Sequence, residues 1–179
     1  MLRLTPAGFG DFKKEYECVR DMPEDENGFT NPWHGIARAD FPEALRTMRD
    51  WSEGRALPEG YVPETFYFLW DGEEITGQFR LRHFLCPSLV NGAGHIGYWI
   101  RPEKRGMGCA TEGLRLLLRV AASVVPEDEI YLRVNRDNPA SLKVMLKNGG
   151  AVHHADEAKY YVRIPKPCQY LEGQEPDQG

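Results

Sequence analysis

The sequence predicts an α+β domain in three layers, with helices on both sides of a mixed central sheet. Two observations lead to this class. Segments with apolar residues at every second position are interleaved with segments whose apolar residues recur at helical spacing. In the middle of the chain, a strand, a basic glycine-containing turn and a long amphipathic helix follow one another directly over residues 95–125. Such an alternation of strands and helices is typical of layered architectures.

The first third of the chain predicts a strand, two helices and a long loop. Residues 2–4 alternate weakly and predict the strand. The helices are expected to begin at Asp11 and Asp40, because aspartate is a favoured N-cap residue and apolar residues at helical spacing follow each one. The loop at 22–35 is interpreted either as a lid on the substrate side or as a plug over the core. Its large side chains are Phe29, Trp33 and His34.

The remainder predicts six strands and two helices. Asp71 and Gly72 form a strong hairpin signal between the first two of these strands. Asn138 is placed to cap the last helix, with Pro139 at its first position. The strands are expected at 65–70, 74–85, 95–100, 130–134, 151–153 and 159–164, with the helices at 110–125 and from Asn138 onward.

Length and composition indicate one ordinary globular domain. The 179 residues are 41% hydrophobic and 27% charged, with a net charge of −5. We expect a single domain over 1–165 and a polar C-terminal tail over 166–179. The acidic balance argues against nucleic acid as a partner, since phosphate binding needs a basic face, and it favours cationic substrates.

Cysteine spacing and hydropathy exclude several other classes. The cysteines at 18, 86, 109 and 168 show neither metal-ligand spacing nor a disulfide framework. His83 and His95 lack cysteine or carboxylate neighbours in the sequence that would complete a zinc site, so we expect no metal. The chain shows no signal-like segment and no apolar run of membrane length. We therefore expect a cytoplasmic protein with reduced thiols and no membrane partner.

Residues 97–112 predict a binding site for a phosphate-bearing ligand. A glycine-containing turn directly before a helix leaves backbone N–H groups free to bind an anion, and Lys104 and Arg105 add positive charge. No Lys-Ser or Lys-Thr follows the glycines, which excludes a nucleotide-triphosphate loop. A dinucleotide fingerprint requires a third glycine at the position of Thr111, so a dinucleotide-dependent enzyme is disfavoured.

The remaining pattern, Arg-Gly-x-Gly-x-Ala after Gly-Tyr-Trp-Ile-Arg-Pro, resembles the acetyl-CoA pyrophosphate loop of the GNAT acyltransferase superfamily. Residues 135–150 resemble the second motif of that family. The resemblance implies the GNAT acyl-CoA N-acyltransferase fold, with acetyl-CoA between the strands at 95–100 and 130–134. The implied coenzyme contacts are Trp99, Ile100, Arg101, Arg105, Gly106, Met107, Gly108, Cys109, Ala110, Asn135, Asn138 and Ser141. For Asn138, helix capping and coenzyme contact are compatible.

The resemblance also implies transfer of an acetyl group to a primary amine of a small molecule, peptide or protein, directly within a ternary complex. The family's usual acid, a tyrosine, is replaced by Met145, which cannot donate a proton. Ser141, Tyr160, Tyr161 or water remain as substitutes. His95 stands at the position of the family's base, and its alternative role is a satisfied histidine within a strand. The missing tyrosine leaves open a non-catalytic CoA-binding sensor or interaction module, and the chain is expected to be a monomer or homodimer.

Overall fold

The computed structural model describes residues 1–166, so the predicted polar tail lies outside the described residues beyond Lys166. All of the predicted helices and strands are present. Three short elements are additional: a hairpin within the 22–35 loop, a single-turn helix after the second long strand, and a 3-10 helix at Pro102–Lys104. The elements are β1 (Leu2–Pro6), α1 (Phe12–Asp21), β2 (Asp25–Glu26), β3 (Phe29–Thr30), α2 (Phe41–Ser52), β4 (Glu64–Asp71), β5 (Glu74–Arg82), α3 (Pro87–Val90), β6 (Ile96–Ile100), α4 (Cys109–Val124), β7 (Glu129–Asn135), α5 (Pro139–Lys147), β8 (Ala151–Ala155) and β9 (Lys159–Pro165).

The predicted α+β class, a sheet flanked by helices, is confirmed. The sheet was predicted to be mixed, whereas it is divided into two parts in which every described strand pair is antiparallel. One has the order β1-β4-β5-β6 and the other the order β7-β9-β8. The parts meet just before β6, where Gly94 bridges Leu132 and the His95 N–H donates to the Tyr131 carbonyl at 2.7 Å. Beyond this contact β6 and β7 separate, which opens a cavity between them.

Local capping explains two of the helix starts. The Asp11 carboxylate accepts from the Lys14 N–H at 2.9 Å, and the Asn138 side chain accepts from the Ser141 N–H at 3.1 Å. Asp40 precedes α2 as expected but makes no side-chain capping bond, because its own backbone is already helical. Pro42 in the first turn of α2 supports this start instead, since its fixed φ suits a helix and its missing N–H is not needed there.

Alternating side chains of the four-stranded sheet build one apolar core on each face. Phe66, Phe68 and Trp70 of β4 pack with α1 and α2, while Tyr67 and Leu69 pack with α4. This period of two is what a strand buried on both faces requires. The two cores fix both helical layers and hold β6 rigidly beside the cavity.

Candidate active site

A cavity of about 470 Å³ lies between β6 and β7. The turn before α4 closes one end, α5 forms one wall, and the β2–β3 hairpin covers the side facing α1 and α2. Its wall therefore combines every element that the sequence singled out for coenzyme binding. The predicted contact residues that line it are Trp99, Ile100, Arg105, Gly106, Gly108, Cys109, Ala110, Asn135, Asn138 and Ser141.

The glycine turn forms an anion site at the closed end. Gly106 and Gly108 have φ values of 73° and 83°, a left-handed conformation that favours glycine. No atom of the described chain lies within 4 Å of the position that a Cβ would take at either glycine, so the space in front of them is open. The Glu112 N–H is the first to donate within the helix, to the Gly108 carbonyl at 3.0 Å. The amides of residues 108–111 therefore have no intrahelical acceptor and suit a pyrophosphate.

Arg105 connects this turn to the hairpin. Its guanidinium donates to the Ile100 carbonyl at 3.0 Å and to the Glu26 carboxylate at 2.8 Å. The Trp99 indole N–H donates to the same carboxylate at 2.6 Å. The hydrogen bond from Arg105 is the largest influence on Glu26 and holds its pKa below the usual range. Arg105 is thus in the predicted place, but its charge is shared with a carboxylate that the sequence did not single out.

The backbone of β6 presents a free edge to the cavity. In an antiparallel pair, successive residues direct their N–H and C=O groups alternately to one side and the other. The Arg101 N–H donates to the Thr76 carbonyl at 2.9 Å, so residues of its parity face β5. Ile96, Tyr98 and Ile100 consequently direct their backbone groups toward the gap. A peptide-like pantetheine arm would find the backbone groups of Ile96 and Tyr98 and the Ile100 N–H there, whereas the Ile100 carbonyl already accepts from Arg105.

Three of the predicted coenzyme contacts do not fit this geometry. Trp99 lines the cavity, yet its backbone faces β5 and its indole packs in the core with α1 and α2. Arg101 is absent from the cavity wall, and its guanidinium lies 3.8 Å from the Glu103 carboxylate instead. Met107 is 71% exposed and is also absent from the wall, because it points outward between the two glycines.

Tyr98 and Ser141 face each other across the gap. The Tyr98 hydroxyl lies 2.7 Å from the Ser141 Oγ and 3.2 Å from the Ser141 carbonyl oxygen. Burial raises the pKa of Tyr98 to about 12, so the phenol stays protonated at neutral pH. Both side chains line the cavity. The sequence did not single out Tyr98. Its position, two residues from both Ile96 and Ile100, places its side chain on the same face of β6 as theirs, toward α4.

A second cavity of about 630 Å³ opens on the side of α2 and the hairpin. Thr30 and Arg80 line both cavities, so the two cavities adjoin at these residues. Phe29, only 8% exposed, packs against Gly97 of β6, where a Cβ would lie 3.2 Å from the phenyl ring. Phe29 of the 22–35 loop is therefore a plug over the core, and other residues of the loop line both cavities, while its role as a lid on the substrate side stays a prediction.

Comparison with known proteins identifies the family. The sequence model for the acetyltransferase (GNAT) domain matches residues 11–151. The chain belongs to the GNAT acetyltransferase family. Among curated proteins, no sequence matches it significantly. The family assignment confirms the predicted resemblance and makes the chain an acetyltransferase in the broad sense.

Solved GNAT structures share the fold at low sequence identity. RimL, an alpha-N-protein acetyltransferase in complex with coenzyme A, has a TM-score of 0.66 at 18% identity, covering 92% of this chain and 94% of that one. Spermidine N-acetyltransferase from Vibrio cholerae, in complex with CoA and spermine, gives 0.61 at 15% identity, with coverages of 92% and 95%. The N-acetyltransferase PseH from Campylobacter jejuni, in complex with acetyl coenzyme A, gives 0.54 at 14% identity, with coverages of 93% and 100%.

Met145, predicted to stand at the position of the family's usual acid, lies on the wall of the cavity. It is 2% exposed, and Ser141 lines the same cavity. Of the predicted substitutes, Tyr160 and Tyr161 do not line the cavity, and the Tyr161 hydroxyl donates to Asp156 at 2.9 Å. Of the three side chains predicted as substitute proton donors, Ser141 is therefore the one that lies in the cavity between β6 and β7.

His95 does not fit the predicted role of base in this GNAT chain. It is fully buried and absent from the cavity wall. Its Nδ1 accepts from the Tyr131 N–H at 2.9 Å, which places the proton on Nε2, and this N–H donates to Glu127 at 3.1 Å. Burial is the largest influence on the ring and lowers its pKa, so it stays neutral. Both ring nitrogens of His95 therefore form hydrogen bonds across the contact between the two sheets, with Tyr131 of β7 and with Glu127 just before it.

His95→Ala is therefore expected to destabilise the protein rather than remove a catalytic group. Losing both hydrogen bonds and opening a cavity between the sheets should lower the free energy of unfolding by about 3 kcal/mol. The kcat of the folded variant should change less than about threefold, whereas loss of a base typically costs at least 100-fold. Urea unfolding and turnover at a temperature where the variant is folded measure the two effects. A variant that is folded and binds acetyl-CoA but has lost 100-fold in kcat would contradict this role.

Two further observations bear on the sequence predictions. Among residues 1–166, no helix is both long enough and apolar enough to cross a membrane. No group of three potential ligands among His, Cys, Asp and Glu residues is arranged to hold a metal ion in the described part of the chain. His83 instead has its Nε2 2.8 Å from the Thr65 hydroxyl.

Proposed function

We propose that residues 1–165 form an N-acetyltransferase domain that transfers the acetyl group of acetyl-CoA to a primary amine, directly within a ternary complex. The observation that carries this proposal is the arrangement of the two cavities. One contains the open anion site and the free edge of β6, and the other adjoins it at Thr30 and Arg80. A coenzyme in the first cavity and an acceptor in the second would therefore lie next to each other.

In the proposed reaction, the neutral amine nitrogen bonds to the thioester carbonyl carbon, the carbon–sulfur bond breaks, the amine proton leaves to water, and the sulfur departs as the thiolate. Acetyl-CoA supplies an activated acyl group. The thiol of the departing coenzyme has a pKa near 8.5, so its thiolate leaves without help from a metal. The chain's own residues bind, polarise and donate hydrogen bonds. Backbone N–H groups on the open edge of β6 are donors for the carbonyl oxygen, which gains negative charge during transfer.

Ser141 is the proposed hydrogen-bond donor toward the sulfur, with Tyr98 as its positioning partner. The hydroxyl pair lies in the gap, and Tyr98 is anchored by stacking on Phe79 with ring centroids 5.4 Å apart. Because the departing thiolate is only weakly basic, it leaves without full protonation. A hydrogen bond from the neutral Ser141 hydroxyl is therefore sufficient to stabilise it, and the thiolate then takes its proton from water.

Guanidinium groups at the junction favour the neutral form of the amine. Arg80, Arg82 and Arg133 line the first cavity, and Arg80 pairs with Gly97 of β6. A positive neighbourhood disfavours an ammonium ion and lowers the pKa of an amine bound there. This provides a free nucleophile without a dedicated base, a role that His95 cannot fill from its buried position.

The test is release of free thiol from acetyl-CoA in the presence of a broad panel of primary amines. We expect turnover above the rate of hydrolysis for at least one amine, with formation of its N-acetyl product by mass spectrometry. Met145 in place of the usual tyrosine supports a second candidate, a CoA-binding module without catalysis. Micromolar binding of acetyl-CoA by calorimetry, without turnover of any amine, would favour that module over the enzyme.

A further inference from the structure

We infer that the second cavity selects acceptors that carry a second cationic group, so that the substrate is a diamine or a longer polycationic amine. This rests on the proposed acetyl transfer and specifies the acceptor for that same site. The inference depends on the charge of the cavity wall, on a buried carboxylate oxygen without a partner, and on two aromatic side chains.

The wall of the second cavity is predominantly acidic. It contains the carboxylates of Glu24, Asp25 and Glu64 and a single guanidinium, that of Arg80, among its described lining residues. Glu24 and Asp25 are exposed at the mouth, on the hairpin and the turn before it. Their negative charges attract a cation entering from solvent and oppose the entry of an anion.

Glu64 supplies an unused acceptor deep in the wall. Its residue is 2% exposed, and its Oε1 has no hydrogen-bond partner among the described residues. The other oxygen, Oε2, lies 3.7 Å from the Nε atoms of both Arg80 and Arg82. A buried carboxylate oxygen without a donor is costly, and an ammonium N–H in the cavity would satisfy it.

Two aromatic rings complete a site suited to an ammonium group. Trp51 and Tyr61 line the same cavity, with their ring centroids 6.1 Å apart. The faces of such rings attract cations, and their apolar surfaces accommodate a methylene chain. Carboxylates and aromatic rings together are the combination expected around an alkylammonium ion.

The charges also orient the acceptor. The Arg80 guanidinium is fixed where the cavities adjoin, since it donates to the Thr30 carbonyl at 2.8 Å and lies over the rings of Phe29 and Phe66, at 5.3 and 4.7 Å from their centroids. Positive charge at this junction disfavours an ammonium there, whereas the acidic mouth favours one. A diamine therefore places its charged end among the carboxylates and its neutral, reacting end at the junction.

Three acceptors of equal length test this inference because they differ only in the distal group: 1,5-diaminopentane, 1-aminopentane and 5-aminopentanoate. With saturating acetyl-CoA and thiol release as the readout, we expect kcat/KM for the diamine to exceed that for the monoamine about tenfold, with the amino acid lowest. A tenfold ratio corresponds to one modest charge interaction. Equal values for diamine and monoamine would overturn the inference.

Charge-neutralising variants locate the effect. Glu24→Gln combined with Asp25→Asn retains hydrogen-bond acceptors, including the one that Asp25 offers to the Gly28 N–H at 3.1 Å. In this double variant the ratio of diamine to monoamine should fall from about tenfold to about twofold. Glu157→Gln removes an exposed carboxylate outside both cavities and should leave the ratio unchanged. A ratio that falls equally in both variants would show a general effect of net charge and overturn the assigned site.

The outcomes separate this inference from the proposed function. Preference for 5-aminopentanoate would mean that Arg80, Arg82 and Arg133 bind an anionic acceptor, so the inference fails while acetyl transfer stands. Absence of turnover with all three acceptors and with the wider amine panel would overturn acetyl transfer itself, and the inference with it.

Discussion

Gly108→Asp is expected to abolish acetyl-CoA binding, with a loss of affinity of about 100-fold or more. Gly108 has a φ of 83°, where a side chain strains the backbone by about 1–2 kcal/mol. The open space in front of it is the anion site, so the added carboxylate would lie where the pyrophosphate binds. Since each 1.4 kcal/mol changes affinity tenfold, steric exclusion of the pyrophosphate and like-charge repulsion together reach this loss, whereas the backbone strain is present with and without the ligand and lowers stability instead. Isothermal titration calorimetry with acetyl-CoA measures it directly.

Gly149→Asp is the matched control for that substitution. Gly149 has the same φ of 83°, and no atom of the described chain lies within 4 Å of its Cβ position. It follows α5 at an exposed position outside both cavities. The control should lose comparable stability in urea unfolding but bind acetyl-CoA with unchanged affinity. Undiminished affinity in Gly108→Asp, or an equal loss in the two variants, would remove the glycine turn from coenzyme binding.

Features encoded within a few neighbouring residues were predictable from the sequence. The glycine turn, the α4 start and the Asn138 cap each depend on residue types at fixed local offsets, which is why the anion site could be located. The family assignment followed from the same motifs. The hydrophobic periods of the helices and long strands were equally local, and the structure confirms those elements.

Features that depend on strand pairing were not predictable in the same way. A strand at 95–100 can present either set of alternate residues to the gap, and its pairing with β5 selects Ile96, Tyr98 and Ile100. One register step exchanges the two sets, which is why Trp99 and Arg101 were assigned to the wrong side and Tyr98 was missed. His95 was misread for a related reason, because its partners Glu127 and Tyr131 become neighbours only when the two sheets meet.

The contact between Glu26 and Arg105 shows the same limit over a longer separation. These residues are 79 positions apart, and the two-residue strands of the hairpin that positions Glu26 are too short for a periodic signal. The carboxylate lies beside the glycine turn, so Arg105 must share its charge between Glu26 and an incoming pyrophosphate. The hairpin that lines both cavities is thereby joined to the glycine turn through the Glu26–Arg105 contact.

Ser141→Ala is expected to lower kcat about tenfold while leaving the Kd for acetyl-CoA nearly unchanged. The substitution removes the Oγ proposed to donate toward the sulfur, a contribution of one hydrogen bond that strengthens as the thiolate forms. The backbone N–H of Ser141 still donates to Asn138, so the α5 cap is preserved. Steady-state kinetics with saturating acetyl-CoA and calorimetry separate the effect on chemistry from that on binding.

Tyr98→Phe tests whether the two hydroxyls act as one unit. It retains the ring that stacks on Phe79 and removes the hydroxyl 2.7 Å from the Ser141 Oγ. If Tyr98 acts by positioning Ser141, the double variant should lose little more activity than Ser141→Ala alone, because interacting residues are not additive. With the pKa of Tyr98 raised to about 12, the loss should also be independent of pH between 6 and 9. Multiplicative losses in the double variant would show that the hydroxyls act independently. An unchanged kcat in Ser141→Ala would contradict the proposed role of Ser141 as the donor toward the sulfur.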